Sequence, residues 1–131
     1  MNGLDTNVLL RLFVSDDVDQ QNRAIECVKQ LRTNGPVVVN SIILSEFSGV
    51  LIRSFHKSRA TVADLIEKML ATDDLQLMFA QAAARAVAAY RAGKADFADY
   101  FIAEINSELG CATTFTFDKA AAKHGAFTEV P

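Results

Sequence analysis

The chain has 131 residues, of which 50% are hydrophobic and 22% charged, and its formal net charge is −3. The length suits one domain with a proper core, spanning residues 1–131, and the composition is that of a soluble globular protein. A net negative chain does not coat nucleic acid by bulk charge, although an enzyme that gathers acids in one pocket and bases around its rim remains open. No apolar run approaches the ~20 residues needed to span a bilayer. No basic segment followed by an apolar core opens the chain, so a cytoplasmic location is expected. Cys27 and Cys111 stand in no metal-ligand spacing and are expected to be reduced, largely buried thiols.

Leu4-Asp5-Thr6-Asn7 reads as a strand that stops at the carboxylate and a helix that starts after it, running to Phe13. Asp16-Asp17 favours a second helix N-terminus through the helix dipole. That helix, over 17–32, carries Ala24, Ile25, Val28 and Leu31 at helical spacing and stops at Thr33-Asn34-Gly35-Pro36. Val37-Val38-Val39 is a β-branched run and so a buried strand. Ser41 is the expected N-cap of the next helix, with an apolar stripe at 43, 44, 47, 50, 51 and 55. Glu46 and Arg53, seven residues apart, share one face of it.

Thr61-Val62-Ala63-Asp64 resembles a capping box for a helix carrying Leu65, Ile66, Met69 and Leu70. A short strand is expected over 75–78, and an alanine-rich helix over 80–92 that breaks at Gly93-Lys94. Asp96-Phe97-Ala98-Asp99 opens another helix, with Phe101, Ile102, Ile105 and Leu109 as its core face and Gly110 beyond its end. Thr113 to Phe117 is β-prone and ends at Asp118. Lys119 to His124 fits a short helix, and Phe127 to Pro131 an edge strand. Strands separated by helices imply a parallel sheet, and the expected architecture is a three-layer α/β/α domain.

In such a sheet ligands bind beyond the carboxyl ends of the strands. Asp5 ends the first strand, Asp118 follows the strand at 113–117, and Glu46 lies early in the helix after Val39. Asp99 is harder to place, because the alternation of elements does not decide which edge its helix starts from. Clustered carboxylates repel and call for a cation. All-oxygen ligands without Cys or His suit Mg²⁺ or Mn²⁺, whose usual task is phosphoryl chemistry.

Each acid also has a plainer role as a helix cap or a solvent-facing charge, and capping is at least as good a reading of Asp96. His56 and His124 have no triad partner. Ser41, Ser45 and Ser48 lack a Gly-x-Ser-x-Gly context, and there is no phosphate-cradling Gly-rich loop. A Mg²⁺-binding signalling receiver domain would want an acidic pair after the first strand. A haloacid-dehalogenase-type phosphatase would want Asp-x-Asp where Asp5-Thr6-Asn7 stands.

The segments Leu4-Asp5-Thr6-Asn7-Val8-Leu9, Ser41-Ile42-Ile43-Leu44-Ser45-Glu46, Ala95 to Ala103 and Thr116-Phe117-Asp118 occur in this order at these spacings. Together they resemble the PIN-domain ribonucleases, most closely the VapC-type toxins of bacterial toxin–antitoxin modules. The resemblance implies a metal-dependent endoribonuclease with Asp5, Glu46 and Asp99 as its principal acids. Asp118 would be a fourth and Asp96 an extra one, together holding Mg²⁺ or Mn²⁺. It places the start of the Asp99 helix at the acidic pocket. It further implies Thr6, Asn7 and Thr116 as supports for the ligands, and Arg53, Lys94 and Lys119 as bases positioning an RNA backbone. A homodimer and a cognate VapB-type antitoxin are the implied partners. Tyr100-Phe101 is bulkier than the Ala-Leu common in the family. A catalytically inactive relative that only binds a partner is the alternative.

Overall fold

A computed structural model describes all 131 residues. The elements run β1 (Asn2–Gly3), α1 (Thr6–Phe13), α2 (Val18–Arg32), β2 (Val37–Val39), α3 (Ser41–Arg53), α4 (Arg59–Ala71) and β3 (Gln76–Leu77). They continue with α5 (Ala80–Ala92), α6 (Phe97–Glu108), β4 (Thr114–Thr116), a 3-10 turn (Ala121–Lys123) and β5 (Phe127–Glu129). This is an α/β fold with parallel strands, as the alternation of elements predicts. β1, β2 and β3 form one parallel sheet in that order, with Gly3 opposite Val38 and Val39 opposite Leu77. β4 and β5 pair only with each other, also in parallel, with Phe115 opposite Thr128. The strands are two or three residues long, so each ladder rests on few hydrogen bonds and the helices carry most of the packing.

The core explains the spacing of apolar residues. Leu44, Phe47 and Leu51 put one face of α3 fully inside, and burial of side chains this size contributes about 1.5–3 kcal/mol each. Ile66 and Met69 do the same for α4, and Ala82, Ala83, Ala86 and Val87 for α5. Small residues along α5 let α4 and α6 pack closely on either side of it. α6 also lies against α3, and α1 touches both α2 and α3.

Several local expectations are corrected. Asn40, not Ser41, caps α3: its backbone is extended and its Oδ1 accepts from the Ile43 amide at 2.9 Å. Ser58, not Thr61, caps α4, with its Oγ accepting from the Thr61 amide at 3.1 Å. The core face of α6 is rotated from the expected one. Ile102 and Leu109 are 51% and 67% exposed, while Phe97, Tyr100, Phe101 and Glu104 are buried, the last between an arginine and a histidine. Both cysteines are exposed rather than buried. Cys27 sits beside a narrow α2 stripe that buries Ala24 and Val28, and Cys111 follows the left-handed Gly110 beyond the end of α6. No helix is long and apolar enough to cross a membrane.

Candidate metal and nucleic-acid site

Asp5 follows β1 and caps α1, its Oδ1 accepting from the Val8 amide at 3.0 Å. Leu4, one residue earlier, is buried and bonded to Val38 of β2 through its backbone, which ties the position of Asp5 to the sheet. The next residue reaches across the fold: the Thr6 hydroxyl donates to Glu46 Oε2 at 2.5 Å. Glu46 in turn lines a cleft of about 390 Å³ with Asp96 and Arg53. The packing of α6 on α3 therefore brings the Asp96 end of α6 alongside Glu46.

Asp96 caps α6 by position but makes no side-chain capping bond, and Asp99 lies in the first turn. The Asp99 carboxyl is held above its usual range, first by burial and then by the negative charges of Asp96 and Asp118, with a backbone contact to Asp96 pulling the other way. Asp118 is therefore close enough to Asp99 to be felt electrostatically. Its own position is tightly set. The Thr116 hydroxyl accepts from the Asp118 amide at 3.0 Å, and Asp118 Oδ1 accepts from the amides of Ala120 and Ala121 at 2.8 and 3.1 Å.

Capping and ligand roles are thus compatible, because each capping bond uses only one oxygen. Asp5 keeps Oδ2, Glu46 keeps Oε1 and Asp118 keeps Oδ2 free of protein hydrogen bonds. None of Asp5, Glu46, Asp96, Asp99 and Asp118 forms an ion pair, whereas Asp16, Asp19, Asp64, Glu67, Asp74, Glu104 and Glu108 all pair with arginine. Neighbouring acids free of ion pairs fit a hard, oxygen-seeking cation. No three of the His, Cys, Asp or Glu side chains stand close enough to enclose an ion among themselves. An ion there would be held through one or two carboxylates, with water or a substrate phosphate completing its shell.

The other expected residues divide. Arg53 folds back over Gly49 and reaches the Glu46–Asp96 cleft without an ion-pair partner; a Cβ on Gly49 would lie 2.6 Å from its Nη2. Lys119 is exposed next to Asp118. Lys94 lines a different cleft, with Lys123 and His124. Asn7 also points elsewhere, into a groove between α1 and α2 that Cys27 shares.

Two features escaped the sequence reading. Arg59 donates to the carbonyls of Tyr90, Gly93 and Ala95 at 2.8, 3.1 and 2.8 Å, and its guanidinium lies 3.9 Å from the Tyr90 ring centre. It thereby fixes the loop that delivers Asp96. His124 has its Nε2 2.8 Å from Oε1 of the buried Glu104. Nothing in the local pattern marks either contact, because the partners are far away in sequence.

A family model described as PIN domain matches residues 4–126, a span that includes all of these acids. No curated protein matches the chain by sequence. The match over nearly the whole chain means that the chain belongs to the PIN domain family, whose members are commonly Mg²⁺-dependent nucleases.

Proposed function

We propose that this protein is a metal-dependent endoribonuclease and that it acts as the toxin of a toxin–antitoxin module. One observation carries the nuclease reading: Asp5, Glu46, Asp96, Asp99 and Asp118 form no ion pair, while seven of the other eleven acids of the chain are paired with arginine. A Mg²⁺ or Mn²⁺ ion, if bound there, would supply an acidified water and charge neutralisation for a phosphodiester. Asp5, Glu46 and Asp99 are the proposed metal-binding acids, one or two of them touching the ion directly and the rest reaching it through its water. Asp118 or Asp96 orients the attacking water or takes its proton. Thr6 holds Glu46 and Thr116 holds the Asp118 backbone, so neither carboxylate has to be ordered during the reaction. Arg53 on the cleft rim offers a charge to the RNA backbone. The products are a 5′-phosphate and a 3′-hydroxyl.

Growth inhibition through RNA cleavage, silencing by a VapB-type antitoxin and a homodimeric state follow from the resemblance to VapC-type toxins. The decisive experiment is an RNA cleavage assay with Mg²⁺ or Mn²⁺ on wild type and Asp5→Asn, free of antitoxin. Cleavage that Asp5→Asn abolishes supports the nuclease. No cleavage of any RNA with either ion, or full activity in the variant, overturns it. For the toxin role, expression should arrest growth and co-expression of an adjacent small gene should restore it. Unaffected growth overturns that role alone.

A further inference from the structure

A second cleft, of about 350 Å³, opens among Ala89, Gly93, Lys94, Tyr100, Ala120, Lys123 and His124. Its walls continue the chain away from the acids. Lys94 lies two residues before Asp96, Tyr100 directly follows Asp99, and Ala120 lies two residues after Asp118. Its charge is opposite to theirs. Lys94 and Lys123 both form no ion pair. The one buried acid nearby, Glu104, is already engaged by Arg85 at 2.8 Å and by His124 at 2.8 Å, so its charge is not left to cancel the lysines.

The cleft is also shaped and rigid. Ala89, Ala92 and Ala120 form part of its lining. The Tyr100 ring stands edge-on to the His124 ring at 5.4 Å, and its hydroxyl accepts from the Ala95 amide at 3.2 Å. His124 is held in turn by Glu104 and lies against Phe127.

We infer that this Lys94–Lys123–His124 cleft binds a backbone phosphate of the RNA strand, next to the phosphodiester presented to the carboxylates. The inference rests on the nuclease reading and adds a binding site to it. Two lysines free of ion pairs in the wall of one cleft offer a phosphate positive charge. A strand gripped here is drawn towards a surface whose carboxylates would otherwise repel it. The site makes no contact that depends on base identity, so it positions the strand without selecting its sequence.

The test is binding of a labelled single-stranded RNA in Ca²⁺, which offers the acids an oxygen-seeking cation, followed by anisotropy over a range of salt. The variants are Lys94→Ala/Lys123→Ala and Lys123→Glu, both at exposed positions, with circular dichroism to confirm folding. The double variant is expected to bind roughly tenfold more weakly, with a salt slope shallower by about 0.7 for the lost phosphate contact. Lys123→Glu should bind more weakly than wild type. Asp5→Asn should lose cleavage in Mg²⁺. Wild-type affinity and slope in the double variant would overturn the cleft and leave the nuclease standing. RNA that binds through the lysines but is never cleaved would overturn the nuclease and leave the cleft. A polyglutamate peptide that competes as well as RNA of equal charge would overturn the assignment to phosphate.

Discussion

The Thr6 hydroxyl and the Glu46 carboxylate meet at 2.5 Å, joining the start of α1 to the middle of α3. The bond fixes one oxygen of Glu46 and leaves the other free of protein hydrogen bonds. Replacing Thr6 with Val keeps the shape and removes the donor. Supporting bonds of this kind typically contribute 10–100-fold to metal affinity or activity. Thr6→Val should therefore raise the Mn²⁺ concentration needed for half-maximal RNA cleavage by about tenfold or more, and Thr6→Ser should restore it. An unchanged Mn²⁺ titration would show that the bond is only structural.

The raised Asp99 carboxyl makes a signed prediction. Its folded pKa exceeds its unfolded one, so the folded state holds this proton more readily between the two values, and ionising Asp99 there costs stability. Without divalent ions, Asp99→Asn should gain stability relative to wild type as the pH rises through the carboxylate range. The gap should close below about pH 4, near the unfolded aspartate pKa. Adding Mg²⁺ or Mn²⁺ should stabilise wild type, by about 1.4 kcal/mol at ten times Kd, and leave the variant nearly unchanged. Thermal melts of the two proteins from pH 3 to pH 8, with EDTA and with Mn²⁺, read both effects. A wild-type melting temperature indifferent to both ions would remove the metal from the site.

Arg59 ties three carbonyls of the α5–α6 connection to the first turn of α4 and stacks on Tyr90. Lysine cannot reproduce the planar fork. Arg59→Ala should cost about 2–4 kcal/mol in urea denaturation, from lost charge-assisted bonds and carbonyls left short of donors. Arg59→Lys should recover only part of it. A loss below about 0.5 kcal/mol for Arg59→Ala would mean that the loop holds its shape without the clamp.

Gly93 is required by proximity. A Cβ there would sit 2.0 Å from the Tyr100 hydroxyl oxygen, too close to be relieved without moving a buried ring. Gly93→Ala should destabilise by about 1–3 kcal/mol through overpacking. The same change in a Tyr100→Phe background should cost clearly less, since the clashing atom is gone. A double-mutant cycle by chemical denaturation measures the difference; additive effects would contradict the contact.

Much of the framework was readable because it depends on near neighbours. Helical spacing identified Leu44, Phe47 and Leu51, and the Val37–Val39 run identified a strand. Errors arose where two adjacent residues compete for one role. Asn40 and Ser41 are both capping types, and the extended backbone at Asn40 settles the choice. On α6, Ile102 and Phe101 are neighbouring apolar residues, and only the packing against α5 and α3 decides which one is buried.

For Asp5 and Asp118, the sequence by itself determined their placement just beyond strands, because a strand end followed by a capping acid is a local pattern. It also determined the all-oxygen donor set, since residue types are its only content. The tertiary structure decided that the start of α6 comes to α3, bringing Asp96 beside Glu46 and Asp99 within the field of Asp118. It decided equally that Thr6 reaches Glu46 and that Lys94 shares a cleft with Lys123 and His124. These relationships depend on how helices pack across long separations in the chain, and no periodicity of 2 or 3.6 residues encodes a distance of that kind.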